Sequence, residues 1–511
     1  MQRKARMSSK EIVLSGHDLT IEEVIEIGSG GCIVRLSEDA RERMQITRSA
    51  IDSILESGGV VYGVNTGFGA LSSVRIDNDE VAKLQENLIR SHACGVGGNM
   101  KPEHVLMMMV IRANSLAIGN SGIRPEIVDV ILQFVNARIC PIIPRIGSLG
   151  ASGDLAPLAH LALGLIGESD FQEEYDQGWN TITSDTAFTK IGNNPVELQA
   201  KEGLSLINGT SQMCTFLCQA ITDLDNLLYN ANVAVSCTVE AIKGSHKPFD
   251  SRIHDSRPHM GQQHCAKQIR SLLQNSEINQ SHIDCDRVQD PYSIRCAPQV
   301  HGPVYELLNN AKSLLSIEFN SVTDNPLVFI NDDGSPEVIS GGNFHGQNLA
   351  IVADNLAICY HELGSISERR TNLLLSPNWS GQNAFLANSE GVESGLMILQ
   401  YVSAACLSEL HLVANPVTTS NVPVSMEKED HVSMGATATF RLLEAGFNLS
   451  TILSNELICG LVCLRNISQK PSQGVQIVKG KLDTIVPQID TDMSLSNVTE
   501  LVAKELISTK L

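Results

Sequence analysis

The sequence predicts a mainly α-helical protein, a long-helix bundle with a smaller mixed N-terminal domain. Three observations lead there. From Thr210 to Lys243 there is no Gly or Pro, and apolar residues recur at helical spacing (Phe216, Ile221, Leu224, Leu227, Leu228). Similar runs cover Val304 to Val322, Asn348 to Leu363, Ser394 to Val413 and Val432 to Leu464, far longer than an average helix. Aromatic residues are only 4% of the 511, so Leu, Ile, Val, Ala and Met must fill the core, as suits packed helices.

A chain this long accommodates two domains, and the change of character after Asn208 divides residues 1–208 from 209–511. Residues 11–70 read as a mixed opening that ends in Tyr62-Gly-Val-Asn-Thr-Gly-Phe-Gly69, a glycine-rich loop. Short helices then alternate with turns up to about Pro144. The stretch from Gly167 to about Asn194 is acidic and polar, and reads as an exposed excursion. Beyond Gly209 the long helices follow one another, and such helices often continue into subunit contacts.

Composition excludes several function classes. A formal net charge of −20 argues against nucleic acid or an anionic membrane as partner. No signal-peptide pattern follows the basic start, and no apolar run reads as a membrane span. Thirteen cysteines are scattered without a CxxC pair or a Cys/His metal spacing. They predict reduced thiols in a cytoplasmic protein with no metal, and Cys214/Cys218 and Cys459/Cys463 read as small buried hydrophobes.

The most informative stretch is Gly147-Ser-Leu-Gly-Ala-Ser-Gly-Asp-Leu-Ala-Pro-Leu-Ala-His160. Ala151, Ser152 and Gly153 are small enough for the backbone to fold tightly on itself. The Gly153 nitrogen can then attack the Ala151 carbonyl. Loss of two waters, one taking the Ser152 hydroxyl, leaves a 4-methylidene-imidazol-5-one, an electrophile no ordinary side chain provides. Asp154 and Pro157 read as residues of a helix's opening turn, whose dipole favours negative charge. The ordinary alternative is a loop-to-helix junction.

Other candidates are weaker singly. Tyr62 could act as a base or be structural, and the glycine loop beside it lacks the Lys and spacing of a phosphate-binding loop. Asn208 could be a helix N-cap. Gln289, Tyr292 and Arg295 share Val288-Gln-Asp-Pro-Tyr-Ser-Ile-Arg295; Arg295 could clamp a carboxylate or form a surface ion pair. Phe344 lies in Gly341-Gly-Asn-Phe-His-Gly346. Glu429-Asp-His-Val-Ser-Met434 would, on its own, open a helix as capping and dipole partners.

Taken together, these blocks resemble the aromatic amino acid ammonia-lyase and aminomutase family, its histidine-acting members above all, from about residue 11 to the end. Ser91-His-Ala-Cys-Gly-Val-Gly97, Lys201-Glu-Gly-Leu-Ser-Leu-Ile-Asn-Gly-Thr210, Ser340 to His345 and Ser365-Ile-Ser-Glu-Arg-Arg370 extend the match. The resemblance implies non-oxidative loss of ammonia from an L-amino acid, with histidine giving trans-urocanate. It implies no added cofactor, only the ring formed from Ala151-Ser152-Gly153.

By the same resemblance, Tyr62 is the base that removes the β-proton. Asn208 and Arg295 bind the carboxylate with Gln289 alongside, Tyr292 assists at the amine, and Phe344 packs beside the ring. His92, Met397 and Glu429 face the substrate side chain, where a histidine and a carboxylate suit imidazole. The implied assembly is a homotetramer whose sites draw on three subunits. A tyrosine or other aromatic ammonia-lyase, or a 2,3-aminomutase, is the alternative within the family, and a catalytically inert helical scaffold the alternative outside it. Asn-Gln usually precedes the glutamate in histidine-acting members, whereas here it is Glu427-Lys428. Their Ser-Glu-Asn-Lys stretch reads Ser408-Glu-Leu-His411. Both departures bear on substrate rather than reaction.

Overall fold

The computed structural model describes residues 10–57, 80–283 and 287–511. Helices dominate it, and five of them match the predicted long runs: Ser211–Ala241, Ala297–Phe319, Gln347–Leu374, Met397–Val413 and Gly435–Arg465. Boundaries shift by a few residues or more. The run expected from Val304 begins at Ala297 because Pro303 is accommodated inside the helix. The run expected to stop at Leu363 continues to Leu374, since no Gly or Pro after Gly364 interrupts it.

The chain divides into two compact units that do not meet at a single boundary after residue 208. The first comprises Met1–Gln219, Lys312–Ala353 and Val417–Phe440; the second comprises Ala220–Ala311, Asp354–Pro416 and Arg441–Leu511. The division falls within four of the long helices, so each unit takes part of each of them.

In the first unit, strands Lys10–Leu14 and Cys32–Leu36 pair in parallel, Lys10 opposite Cys32, across helix Ile21–Ser29. That helix starts at a capping box in which Thr20 and Glu23 satisfy each other's backbone N–H. Helix Pro102–Ala117 is buried without interruption from His104 onward, so it is enclosed on every side rather than half-exposed. The acidic stretch after Gly167 is ordered. Strands Phe171–Tyr175 and Gly178–Ile182 form a hairpin on Ile139–Pro141, and Phe171 stacks on Phe134 with ring centroids 5.0 Å apart. Its apolar anchors, Phe171 and Phe188, are too few to show as a periodic pattern.

The second unit is held by packed helices with a charged centre. Arg370 and Glu456 are both fully buried, and Arg370 donates from Nε at 2.6 Å and from Nη2 at 2.8 Å. Thr238 and Ser367 donate to the same carboxylate at 2.7 Å each. Such a pair is tolerable only because every lone pair is engaged. Helix Gly435–Arg465 is long and apolar enough to cross a membrane, which corrects the reading that no run is; 89% of its apolar window is buried within the protein. No disulfide joins the described cysteines, and Cys214, Cys218, Cys459 and Cys463 are buried.

Candidate functional site

The site begins with a tightly folded stretch of backbone. Strand Pro144–Ile146 pairs with Val96–Asn99, and a turn then carries the chain through Ala151-Ser152-Gly153 into helix Leu155–Leu165. Gly150 and Gly153 take φ values of +70° and +75°, conformations that side chains disfavour. The Gly153 position also has no room for one. A Cβ there would lie 2.7 Å from the Gly209 nitrogen and closer still to its carbonyl.

Three segments clamp the tripeptide. Gly153 bridges Gly209, and the Asp154 N–H donates to the Gly209 carbonyl at 2.6 Å. Asn208 Nδ2 donates to the Ser152 carbonyl at 2.9 Å. Ser148 Oγ donates to the Gly153 carbonyl at 3.2 Å, and Ser433 Oγ to the Gly150 carbonyl at 3.1 Å. Ala151 and Gly153 are buried, while Ser152 reaches the wall of a cavity. Asn208 Oδ1 is buried beside this turn without a partner among the described residues. A compressed turn of small residues, one side chain facing open space and an unused acceptor all suit a ring formed from these three residues.

Asp154 stands at the N-cap of helix Leu155–Leu165 as its position suggests, but its side chain makes no bond to that helix. Its carboxyl instead accepts from the Gln212 and Met213 N–H groups at 2.8 and 3.0 Å, capping helix Ser211–Ala241. Ser148 donates to it at 3.0 Å. Complete burial pushes this carboxyl up to about 7 against those three donors. Asn208 ends helix Glu202–Ile207 rather than starting one.

Behind Gly209 lies a layer of buried charge that the sequence did not reveal. Arg112 is fully buried, donates from Nη2 to the Ser205 carbonyl, and among the described residues has no partner for Nε or Nη1. Burial pushes its guanidinium down to about 10. Lys201 Nζ, also fully buried, meets Asp324 at 3.0 Å and Ser205 Oγ at 3.0 Å. Asp324 accepts from the Asn325 N–H at 2.7 Å, and Asn325 in turn accepts from the Gly341 N–H at 2.7 Å. In the sequence Arg112 interrupts an apolar run, and a lone charge there is indistinguishable from an exposed one.

These elements enclose a cavity of about 610 Å³ within the first unit. Ser152, Asn208 and Phe344 line it together with His92, Lys428 and Glu429. Leu88, Leu155, Leu204 and Ile207 supply apolar wall, and Asn325, Ser340, Gly341 and Ser425 complete the lining described. His92 closes helix Val81–His92, and its Nδ1 lies 2.8 Å from the Leu88 carbonyl. A carbonyl only accepts, so the proton sits on Nδ1 and Nε2 of the neutral ring keeps its lone pair.

Glu429 does not open a helix. It bridges Val424 in a tight hairpin, and the next helix starts only at Gly435. Ser425, Met426 and Glu427 turn this hairpin with φ of +54°, +53° and +65°, a left-handed course that non-glycine residues rarely follow.

Other expected residues fall elsewhere. Tyr62 and its glycine loop lie outside the described residues. Gln289, Tyr292, Arg295 and Met397 belong to the second unit, where the Arg295 guanidinium stands 4.5 Å over the Tyr292 ring. Tyr292 is 69% exposed, and Arg295 Nε is buried with no partner among the described residues, in place of the surface ion pair its sequence context also allowed. Asp290 anchors this segment by accepting from the Ser245 N–H at 2.7 Å.

Known proteins share this sequence and fold. A family model described as aromatic amino acid lyase matches residues 19–483. The histidine ammonia-lyase of Deinococcus radiodurans is 47% identical over 476 residues, covering 93% of this chain and 90% of that one. The crystal structure of histidine ammonia-lyase from Trypanosoma cruzi superposes with a TM-score of 0.90 at 36% identity, covering 98% of this chain and 94% of its own. Tyrosine aminomutase from Streptomyces globisporus superposes with a TM-score of 0.89 at 32% identity, covering 98% and 97%.

Proposed function

The chain belongs to the aromatic amino acid lyase family, and from that premise we propose that it is a histidine ammonia-lyase converting L-histidine to trans-urocanate and ammonia. The observation that supports this most is the single cavity onto which Ser152, Asn208, His92 and Glu429 all open. It joins a ring-forming turn to side chains that suit imidazole.

The chemical difficulty is a β-proton too weakly acidic for an ordinary base and an ammonium that leaves poorly. The 4-methylidene-imidazol-5-one formed from Ala151-Ser152-Gly153 supplies an electrophile that assists departure of the amine. The chain's other residues orient the substrate. Asn208 and Arg295 hold the carboxylate, with Gln289 alongside; the unpartnered buried Arg295 Nε suits an arriving anion. Tyr62 accepts the β-proton while the C–H pair becomes the new double bond and the C–N pair leaves with nitrogen. Tyr292 hydrogen-bonds near the amine, and Phe344 packs beside the ring.

Specificity rests on His92, Glu429 and Met397. His92 Nε2 and the Glu429 carboxylate both accept, so an imidazole N–H is well received and a phenyl group leaves both unmet. The alternative, a tyrosine or other aromatic ammonia-lyase or 2,3-aminomutase, draws on the same His92 Nε2, which could accept from a phenol. The similarity to histidine ammonia-lyases favours histidine.

The assembly we infer is a homotetramer whose sites each draw on three subunits. Helix Met397–Val413 supports it: most of its apolar residues are not buried, with Ile398 53%, Tyr401 62% and Leu412 63% exposed. The lack of a disulfide among the described cysteines supports a cytoplasmic location.

Intact mass tests the reading. The wild-type chain should weigh less than its sequence by two waters and release ammonia from L-histidine, and Ser152→Ala should show neither property. A wild-type chain of full sequence mass that turns histidine over would exclude the ring, and one that does neither would exclude the enzyme.

A further inference from the structure

Resting on the histidine reading, we propose that Lys428 is a specificity residue that donates to the unprotonated nitrogen of the substrate ring, so that the site selects neutral imidazole. The argument starts from counting donors and acceptors. A neutral imidazole carries one N–H and one nitrogen lone pair. The titratable side chains on the described wall of the cavity are His92, Lys428 and Glu429, on helix Val81–His92 and on the Val424–Glu429 hairpin.

Two of these three accept. His92 has its proton held on Nδ1 by the Leu88 carbonyl, which leaves Nε2 as a lone pair. Glu429 is a carboxylate with no donor of its own. A cavity with these two alone would receive two N–H groups, and so would prefer the protonated imidazolium. Lys428 changes the balance by adding three N–H donors and a positive charge. Among the described residues its ammonium forms no ion pair, and its backbone N–H is already engaged by the Ser425 carbonyl at 3.2 Å.

The neighbouring charges do not replace it. Glu427 is exposed in the left-handed turn and does not line the cavity, and Asp430 and His431 run on from Glu429 toward His345, whose ring lies 5.8 Å from that of His431. The cavity's described cation is therefore Lys428. With it present, the ring's N–H goes to His92 or Glu429 and its lone pair takes the lysine proton. A protonated ring would instead meet the ammonium as a like charge.

The test is kcat/KM for L-histidine with the full-length enzyme from about pH 6 to about pH 9, which brackets imidazole ionisation. The variants are Lys428→Met and Lys428→Gln, both at an exposed hairpin position. Lys428→Met should lose roughly ten- to a hundredfold at the alkaline end, where neutral imidazole must bind with an unmet lone pair, and clearly less at the acid end. Lys428→Gln, uncharged but still a donor, should recover most of the alkaline loss. Equal kcat/KM for Lys428→Met and wild type across the range overturns the proposal while leaving the histidine reading intact. Failure of Lys428→Gln to rescue overturns it too, by assigning the effect to charge alone. A wild-type enzyme that never turns over histidine overturns both together.

Discussion

Gly153 is where backbone conformation decides chemistry. It combines φ of +75° with a position where a Cβ would press into the Gly209 backbone. Gly153→Ala should therefore keep its full sequence mass and show no histidine turnover; loss of two waters in that variant would disprove the packing argument. Asp154, next in the chain, makes a pH prediction. Its folded value of about 7 lies above the ordinary carboxylate value, so its contribution to stability is complete below about pH 4 and is lost as pH rises through 7. Relative to Asp154→Asn, the wild type should lose stability across that window by up to about 1.4 kcal/mol per pH unit, read from urea midpoints. Parallel pH profiles would show that burial does not hold the carboxyl neutral. The tripeptide itself was legible in the sequence because it sits in a long, ordered motif. Arg112 and the Lys201–Asp324 pair were not, since burial of a charge depends on partners distant in the chain.

Among the elements, the long helices of the second unit depend on one ionic centre. Removing Glu456 would strand Arg370 at zero exposure with only the Ser293 carbonyl, at 3.4 Å, still engaged by its guanidinium. Glu456→Ala should cost about 3–5 kcal/mol in urea unfolding, and Glu456→Gln less. A loss below about 1 kcal/mol would mean that the pair is no better than a surface one. The helices were legible because uninterrupted apolar periodicity has few other outcomes. The hairpin at 171–182 was not, because its short, acidic strands show almost no alternation. Glu429 was misplaced at a helix start for a similar reason. The Ser425–Glu427 turn uses left-handed residues that carry no glycine or asparagine signature, and only the Val424–Glu429 pairing reveals it.

For the whole molecule, the exposed apolar face of helix Met397–Val413 needs a cover. Light scattering on the purified protein should give four times the 55.3 kDa chain mass. Tyr401→Asp with Leu412→Asp should reduce that mass and the turnover together; an active monomer would refute the shared-site assembly. Residues that the sequence grouped by motif are divided by the fold between two units, which is why Arg295 and Tyr292 could be named before their setting was known. The central claim is that this cavity acts on imidazole. Separate incubations with L-histidine and L-tyrosine, followed by the ultraviolet absorption of urocanate and of coumarate, test it most directly. The account predicts rapid urocanate formation and little or no coumarate. Faster turnover of tyrosine, or a β-amino acid as the main product, would contradict it.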